Sequence, residues 1–342
     1  MKISEFKGSF FEIGKQQGAI YKKNGMSFNT VKIDPVLYKN QHAVYKKHYP
    51  QLLDEFKGMA QGGNFDEEKL IYYFITGEIF YFKNEFRLDK ACTIFGYKKG
   101  NNVYVGRNYD WLPETENIFE VYKAMNPEVN SFIAVTDMGI SNPATAKPKY
   151  FFYNTDDAIN SKGLFIWLTF AYLDQWSYGI SCIHMTKLIA ENCETVKEAL
   201  EVFKKTPLCC PKNFFIADKN GDMVVVEHAA KKFKILYPKE NILIQTNHYV
   251  DEELAKKDIV FKQVPFHNTC IRYYETLQKI QFEKRTFSRE SISKILNRKG
   301  SYTCQNFPGI KTIWTLALDM TSKKYKIYWD LSRSKKSKEL SI

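Results

Sequence analysis

Two short stretches decide the fold: Ala-Cys-Thr-Ile-Phe-Gly at 91–96 and Val-Tyr-Val-Gly-Arg-Asn-Tyr-Asp-Trp at 103–111. Both read as buried strands, and the polar turn between them predicts a hairpin. The hairpin would bring Arg107 and Asp110 of the second strand close to the thiol of Cys92 in the first. A neighbouring cation lowers the pKa of a thiol and favours the nucleophilic thiolate, so the pattern indicates a reactive cysteine.

Cys92 lies far inside the chain, behind a segment of 91 residues. A cysteine at a chain start can act as nucleophile and base in one residue, because its α-amine titrates near pH ~8 and can relay the thiol proton. Cys92 would gain such an amine only by cleavage after Ala91, and the charged stretch 83–90 would form an accessible linker for this cut. The alternative interpretation is a buried strand cysteine, which is a common use of this residue.

The chain resembles the N-terminal-nucleophile (Ntn) amide hydrolases, and among them two related families. One is the choloylglycine (bile salt) hydrolase family, with penicillin V acylase. The other is the isopenicillin-N N-acyltransferase-like (acyl-coenzyme A:6-aminopenicillanic acid acyltransferase) family of autoprocessed precursors. Both begin the mature chain with Cys-Thr or a near variant, followed by a Gly-Arg-Asn-x-Asp strand, as at 92–93 and 106–110. The long segment before the cysteine and the run Gly-Ser-Phe-Phe-Glu-Ile-Gly-Lys-Gln-Gln-Gly at 8–18 favour the second family.

The resemblance implies roles for the residues that follow Cys92. Arg107 would stand beside the nucleophile and support a thiolate or bind a substrate carbonyl, and Asp110 would hold the freed α-amine. Without the resemblance, the two would be an ordinary surface ion pair, which contributes little. Trp111 would line the substrate pocket or pack in the core.

Three residues further along the chain complete the site that the resemblance implies. Asn247, in Gln-Thr-Asn-His at 245–248, would donate its side-chain N–H to the developing oxyanion, an interaction worth roughly 3–4 kcal/mol. Thr169 stands where the bile salt hydrolases have an asparagine whose backbone N–H serves the oxyanion hole, and a backbone donor survives this substitution. Arg272 would buttress the site. A turn-forming asparagine and a helix-surface arginine are the alternatives.

Residues 1–91 predict a mostly helical pre-segment. A first helix is expected over 34–57, continuing past Pro50, because an aspartate followed by proline favours a helix start. A capping box over 64–67 would begin a second, very apolar helix that ends near Phe82. This second helix is too apolar to stand exposed, so the pre-segment should stay bound after cleavage.

The pattern changes to strands after Cys92. Strands, a helix pair, strands, helices and strands predict an α+β fold, a four-layer αββα sandwich over 92–342. Strands are expected over 131–136, 150–153, 164–170, 233–237 and 242–246, helices over 180–193, 195–205, 268–281 and 288–297, and hairpins over 214–227 and 312–329. The basic run Arg333–Lys338 reads as a solvated, frayed tail.

Composition narrows the class of protein. The chain has 342 residues and a net charge of +12, spread along its length without a nucleic-acid recognition motif. No signal peptide and no apolar run near the roughly 18 residues of a membrane span are evident. The seven cysteines are odd in number and lack CxxC spacing, which favours reduced thiols and a cytoplasmic location. No metal or organic cofactor is implied.

The sequence therefore predicts an autoprocessed cysteine enzyme that cleaves a linear amide through a thioester on Cys92. The acyl group would pass to water or to another amine, and residues 1–91 would remain as a small subunit. A bile-salt or penicillin V hydrolase is the alternative within the class, disfavoured by Thr169 and the long pre-segment. A non-catalytic relative that binds acylated amines or a partner protein is the alternative outside it, and nucleic-acid binding is a distant third. The oligomeric state, including a homo-oligomer, stays open.

Overall fold

The structure is a computed structural model that describes residues 3–83, 91–117, 119–137, 152–259 and 268–342. Most of the expected linker over 83–90 and the first half of the expected strand over 150–153 lie outside the described residues. The described strands are β1 Ile3–Lys7, β2 Ala91–Lys99, β3 Asn102–Trp111, β4 Glu120–Met125, β5 Phe132–Thr136, β6 Asp157–Asn160, β7 Leu164–Phe170, β8 Lys212–Asp218, β9 Met223–His228, β10 Phe233–Leu236, β11 Ile242–Gln245, β12 Asn306–Phe307, β13 Ile310–Asp319, β14 Lys324–Trp329 and β15 Lys336–Leu340.

The helices divide between the two ends of the chain and a central pair. The described helices are α1 Phe10–Lys23, α2 Pro35–His48, α3 Pro50–Gly63, α4 Glu67–Lys83, α5 Cys182–Asn192, α6 Val196–Lys205, α7 Glu252–Ala255, α8 Thr269–Glu283 and α9 Arg289–Leu296. No helix among the described residues is long and apolar enough to cross a membrane.

The described strands form two sheets. The first has the spatial order β1-β4-β5-β6-β7-β8-β9-β10, and the second has the order β11-β2-β3-β13-β14-β15 with β12 paired to β13. The hairpin expected at the cysteine is confirmed, since β2 and β3 pair antiparallel and place Cys92 opposite Tyr109. The pre-segment is mostly helical, as expected, and it also contributes the strand β1, which pairs parallel with β4. One expectation is wrong, because the C-terminal run is not frayed and β15 pairs with β14.

Three apolar clusters separate four layers. One cluster packs helices α1 to α6 against the outer face of the first sheet. A second fills the space between the sheets and includes Cys92, Trp167 and Trp314. A third packs α8 and α9 against the outer face of the second sheet. The αββα sandwich and the α+β class expected from the sequence are therefore confirmed.

The pre-segment helices differ from expectation at Pro50. The helix that begins at Pro35 ends at His48, and α3 starts anew at Pro50 and continues to Gly63. Proline lacks the N–H that would continue the helix and clashes with the preceding turn, so one expected helix becomes two. Glycine inside α3 allows this helix to pack closely against α1. A Cβ added to Gly58 would lie 2.0 Å from the carbonyl oxygen of Phe11 in α1.

The expected capping box at the next helix is also wrong. Asn64 ends α3 in the left-handed conformation, with φ of 49°, instead of starting α4. Asp66 takes the capping role, because its Oδ1 accepts a hydrogen bond from the Lys69 N–H at 3.0 Å. Asparagine tolerates the left-handed region well, which explains why the residue closes one helix here.

Candidate active site

Cys92 is the second residue of β2, and its side chain faces the space between the two sheets. The residue is 1% exposed and belongs to the same apolar cluster as Tyr109 and Trp167. Burial raises the pKa of the Cys92 thiol to about 12, although Arg107 acts in the opposite direction. The expected lowering by Arg107 is therefore present but outweighed, because desolvation disfavours the thiolate more strongly. In the uncut chain the thiol is protonated near neutral pH.

Arg107 lies between the sheets on the same face of β2 and β3 as Cys92. Its Nε is 2.9 Å from Asp157 Oδ1, and its Cζ lies 4.3 Å from the ring centre of Trp167 and 5.0 Å from that of Trp314. None of its N–H groups meets hydrogen-bond geometry with a described residue, so the contact with Asp157 is an ion pair. The alternative interpretation, an ordinary surface pair of Arg107 with Asp110, is wrong, because both side chains are buried and lie on opposite faces of β3. The guanidinium is instead held by aromatic faces and one buried carboxylate.

Asn247 and Arg272 clamp the backbone of Cys92. The backbone N–H of Cys92 donates to Asn247 Oδ1 at 2.7 Å. Arg272 donates through Nη2 to the same Oδ1 at 2.9 Å, and through Nη1 to the carbonyl oxygen of Cys92 and to Thr93 Oγ1. One planar guanidinium therefore fixes the peptide groups on both sides of the cysteine Cα. Arg272 is fully buried, which rules out the helix-surface alternative.

The hydrogen bonds also fix which way the Asn247 amide points. Oδ1 accepts from the Cys92 N–H and from Arg272, and Nδ2 donates to the carbonyl oxygen of Phe170 at 3.2 Å. The flipped amide would place a donor against two donors and an acceptor against a carbonyl. The side chain therefore presents its oxygen to the nitrogen of the Ala91–Cys92 peptide bond, and one Nδ2 hydrogen is left for another acceptor.

Asp110 lies on the opposite face of β3 from Arg107, across the ladder from Ala91. Its carboxylate accepts hydrogen bonds from Thr312 Oγ1 at 2.5 Å and Gln305 Nε2 at 3.3 Å. Burial raises the pKa of Asp110 to about 6, against the opposing effect of Arg272. The N–H of Cys92 points to Asn247 rather than to Asp110, so the structure brings Asp110 beside the expected cleavage point without a bond to that nitrogen.

Thr169 joins β7 to the segment that carries Asn247. Its Oγ1 donates to the carbonyl oxygen of Thr246 at 2.9 Å, and the residue is fully buried. His248 lies in the same segment, and burial together with the charge of Arg272 lowers its pKa to about 4. The imidazole is neutral near pH 7 and is held between threonine hydroxyls. The turn-only interpretation of this segment is too simple, because it packs inside the site.

An open cavity of about 190 Å³ is walled by both parts of the chain. The pre-segment supplies Tyr73 and Phe74 from α4, and the rest of the chain supplies Trp111, Phe170 and other side chains. Trp111 belongs to the apolar cluster of Cys92, and the Phe170 carbonyl accepts the hydrogen bond from Asn247. The cavity therefore borders two residues that neighbour the site, while Cys92 itself does not line it, and aromatic side chains form the largest group in its wall.

Three residues of the site were not expected from the sequence: Asp157, Gln305 and Thr312. Each contacts Arg107 or Asp110 from a distant part of the chain. Nothing local marks any of the three, because even Asp157 stands in a mostly polar run, Asp-Asp-Ala-Ile-Asn-Ser-Lys-Gly at 156–163, that is typical of a turn.

The comparisons with known proteins show the family and the fold. The family profile described as acyl-coenzyme A:6-aminopenicillanic acid acyl-transferase matches residues 97–334, which begins just after Cys92. Penicillin V acylase from Agrobacterium tumefaciens has a similar structure, at 17% identity over 73% of this chain and 86% of that chain, with a TM-score of 0.50. No curated protein matches the chain at the level of sequence.

Two further solved structures are similar. An N-acylethanolamine-hydrolyzing acid amidase ortholog from Caenorhabditis elegans is 15% identical over 67% of this chain and 93% of that chain, with a TM-score of 0.47. A mutant of the conjugated bile acid hydrolase from Clostridium perfringens is 13% identical over 74% of this chain and 92% of that chain, with a TM-score of 0.49.

Proposed function

Because the chain belongs to the acyl-coenzyme A:6-aminopenicillanic acid acyl-transferase family, and so is an enzyme of the amidohydrolase and acyltransferase kind, we propose that Cys92 is its nucleophile. The observation that carries the proposal is the clamp of Asn247 and Arg272 on the Cys92 backbone. These residues come from positions 155 and 180 residues away in the sequence. A strand cysteine with only a packing role has no need of a buried cation on its own carbonyl group.

The first reaction is self-cleavage between Ala91 and Cys92. The thiol sulfur attacks the carbonyl carbon of Ala91, the carbon–nitrogen bond breaks, and the thiol proton moves to the departing nitrogen. Water then hydrolyses the thioester and leaves a free α-amine on Cys92. Asn247 Oδ1, which is 2.7 Å from that nitrogen in the uncut chain, is placed to accept a hydrogen bond from the new amine.

The mature enzyme repeats this chemistry on an external amide. The Cys92 amine relays the thiol proton to the leaving nitrogen of the substrate, and the acyl group is held as a thioester until water or another amine takes it. Arg107 stabilises the thiolate across the space between the sheets. The second Nδ2 hydrogen of Asn247 and the backbone N–H of Thr169 are the proposed oxyanion donors. Asp110 orients the amine from its position opposite Ala91.

The pre-segment remains as a subunit because it is joined to the rest by a buried ion network. Lys187 Nζ of α5 lies 2.7 Å from Glu55 Oε2 of α3 and 2.6 Å from Glu191 Oε1. Tyr49 also donates to Glu191 from the pre-segment side. Separating the two segments would leave these charges without their partners, surrounded by a mostly apolar surface. The aromatic cavity that both segments wall suits the acyl part of an amide substrate.

Intact mass of the purified wild type beside Cys92→Ala tests the proposal. Wild type should separate under denaturing conditions into fragments of 91 and 251 residues, while Cys92→Ala stays whole. Cys193→Ala, a buried cysteine between α5 and α6, is the matched control and should cleave like wild type. A cleaved wild type should then gain the mass of an acyl group, removable by hydroxylamine, when an N-acyl amide substrate is added and quenched in acid.

If the wild type stays whole and forms no acyl adduct, the nucleophile proposal fails, and the non-catalytic binding role becomes the better account. If Cys92→Ala still cleaves at the same bond, the cut is made by another residue or protease, and the self-cleavage step is wrong.

A further inference from the structure

A second group of nucleophilic side chains lies in the cavity wall, apart from the residues around Cys92. Glu78 comes from α4 of the pre-segment, and Cys209 and Cys210 come from the bend before β8. Both cysteines are fully buried, and Glu78 and Cys210 line the cavity. Self-cleavage and acyl transfer as proposed above use none of the three.

The ligand atoms of this group have the spacing of a metal site. One carboxylate oxygen of Glu78 and the two thiol sulfurs all lie within 4.8 Å of one another. The Sγ of Cys209 is 3.4 Å from Glu78 Oε2. Tetrahedral zinc with Zn–S of about 2.3 Å and Zn–O of about 2.0 Å separates a sulfur and an oxygen ligand by about 3.5 Å. The contact between Cys209 and Glu78 therefore already has the length of one edge of such a tetrahedron.

The charges around the group also suit a bound cation. Lys212 Nζ is 3.2 Å from the other oxygen of Glu78, Oε1, and this buried oxygen accepts no hydrogen bond from a described residue. Two thiolates, one carboxylate, one ammonium and one divalent cation sum to zero net charge. Two buried thiolates are unfavourable in a low-dielectric wall unless their charge is balanced. Lys212 can remain in place and supply part of that balance.

We propose that Glu78, Cys209 and Cys210 bind a thiophilic divalent cation of the zinc type, with the fourth position facing the cavity. The preference for sulfur ligands selects zinc or a softer cation over magnesium and calcium, which require oxygen ligands. The cation would connect the pre-segment to the catalytic part of the chain, because Glu78 precedes Cys92 and both thiols follow it. No local sequence pattern signals this group, since Glu78 stands 131 residues before Cys209.

Binding exchanges protons for metal. A cysteine binds the metal as a thiolate, so each thiol that becomes a ligand gives up its proton. The cation enters as a hydrated ion, forms two metal–sulfur bonds and one metal–oxygen bond, and releases the two thiol protons to the buffer. No oxidant or reductant takes part. The release of two protons for each bound cation distinguishes this site from adventitious binding to surface carboxylates.

The test uses the full chain in a Cys92→Ala background, which removes the proposed nucleophile and whose intact mass is checked before titration, so that the result does not depend on the catalytic proposal. Cys182, which also lines the cavity, is retained. Metal-free protein, reduced with a phosphine, is titrated with Zn²⁺ by calorimetry in buffers of different ionisation enthalpy. We expect one bound Zn²⁺ and close to two released protons near pH 7. Titration with Cd²⁺ should produce the ultraviolet charge-transfer absorbance of cadmium–thiolate bonds.

Variants assign the ligands. Cys209→Ser and Cys210→Ser should each weaken Zn²⁺ binding at least about tenfold and lower the number of released protons. Glu78→Gln should weaken binding but keep the cadmium–thiolate absorbance, because both thiols are still present. This variant therefore tests the site even if a cysteine variant loses binding only because it folds poorly. Cys193→Ser, a buried cysteine outside the group, should bind as the background does. No Zn²⁺ binding at micromolar concentration, or binding by Cys209→Ser and Cys210→Ser as tight as in the background, would overturn the proposal.

Discussion

Replacing Arg272 with methionine should destabilise the uncut chain and slow its self-cleavage. Methionine fills much of the same volume but has no donor. The change therefore removes the hydrogen bonds to the carbonyl of Cys92, to Thr93 Oγ1 and to Asn247 Oδ1. It also removes the cation that most strongly opposes the effect of burial on the pKa of Asp110.

The magnitude follows from burial. Arg272 is 0% exposed, and removing one partner of a buried charged network costs about 3–5 kcal/mol. Arg289 is the matched control, because its guanidinium forms two hydrogen bonds, at 2.8 and 3.0 Å, to the exposed Glu339. A pair at the surface contributes at most about 1 kcal/mol, so Arg289→Met should change stability little.

Urea unfolding of both variants in the Cys92→Ala background measures stability on an uncut chain. A time course of intact mass in the wild-type background measures self-cleavage, which Arg272→Met should slow at least about 100-fold through misplacement of the Cys92 peptide. If Arg272→Met loses no more stability than Arg289→Met, or cleaves as fast as wild type, the clamp has neither the energetic nor the positioning role assigned to it.

Three further outcomes follow from the contacts. The pKa of about 6 for Asp110 lies above its usual value, so between about pH 4 and pH 6 the folded chain holds a proton that the unfolded chain has lost. The free energy of unfolding should therefore fall as pH rises through this range, by about 1.4 kcal/mol for each pH unit. Urea unfolding of Asp110→Asn should show a flatter dependence on pH, and an unchanged slope would contradict this. Lys187→Met leaves Glu55 and Glu191 without their cation, so it should cost about 3–5 kcal/mol and release the pre-segment after cleavage, as size-exclusion chromatography would show. In Gly14→Ala the new Cβ would meet the Glu55 carbonyl oxygen at 1.8 Å, so thermal unfolding should occur several degrees lower, whereas an unchanged midpoint would mean that α1 and α3 can move apart.

Local sequence patterns predicted most of the fold. The β2–β3 hairpin, the helix expected over 195–205 and the helix start at Asp34 and Pro35 all occur as the sequence indicated. Each depends on periodicity or on a cap within a few residues. The strands that the sequence did not predict depend on distant partners. The strand β1 forms because β4 offers it an edge, and β15 forms because β14 does.

In the candidate site too, some features follow from local sequence and others depend on distant contacts. The residue types and their order along the chain predict Cys92 and its companions through the resemblance to a family, because a nucleophile, a cation and amide donors in this order are typical of its chemistry. The net pKa of the thiol could not be predicted from the sequence. A neighbouring arginine is visible there, but the larger opposing effect is desolvation, which depends on what the two sheets enclose.

Local sequence therefore predicted most of the strands and helices and the kind of chemistry, since these follow from spacing, caps and residue type. Only the tertiary structure decided that Asn247 turns its oxygen to the Cys92 nitrogen, and that Asp157 rather than Asp110 pairs with Arg107. It also placed Glu78 beside Cys209. The physical reason is that these contacts join residues far apart in the chain, and stacking of the layers brings them to hydrogen-bond distance in a space from which water is excluded.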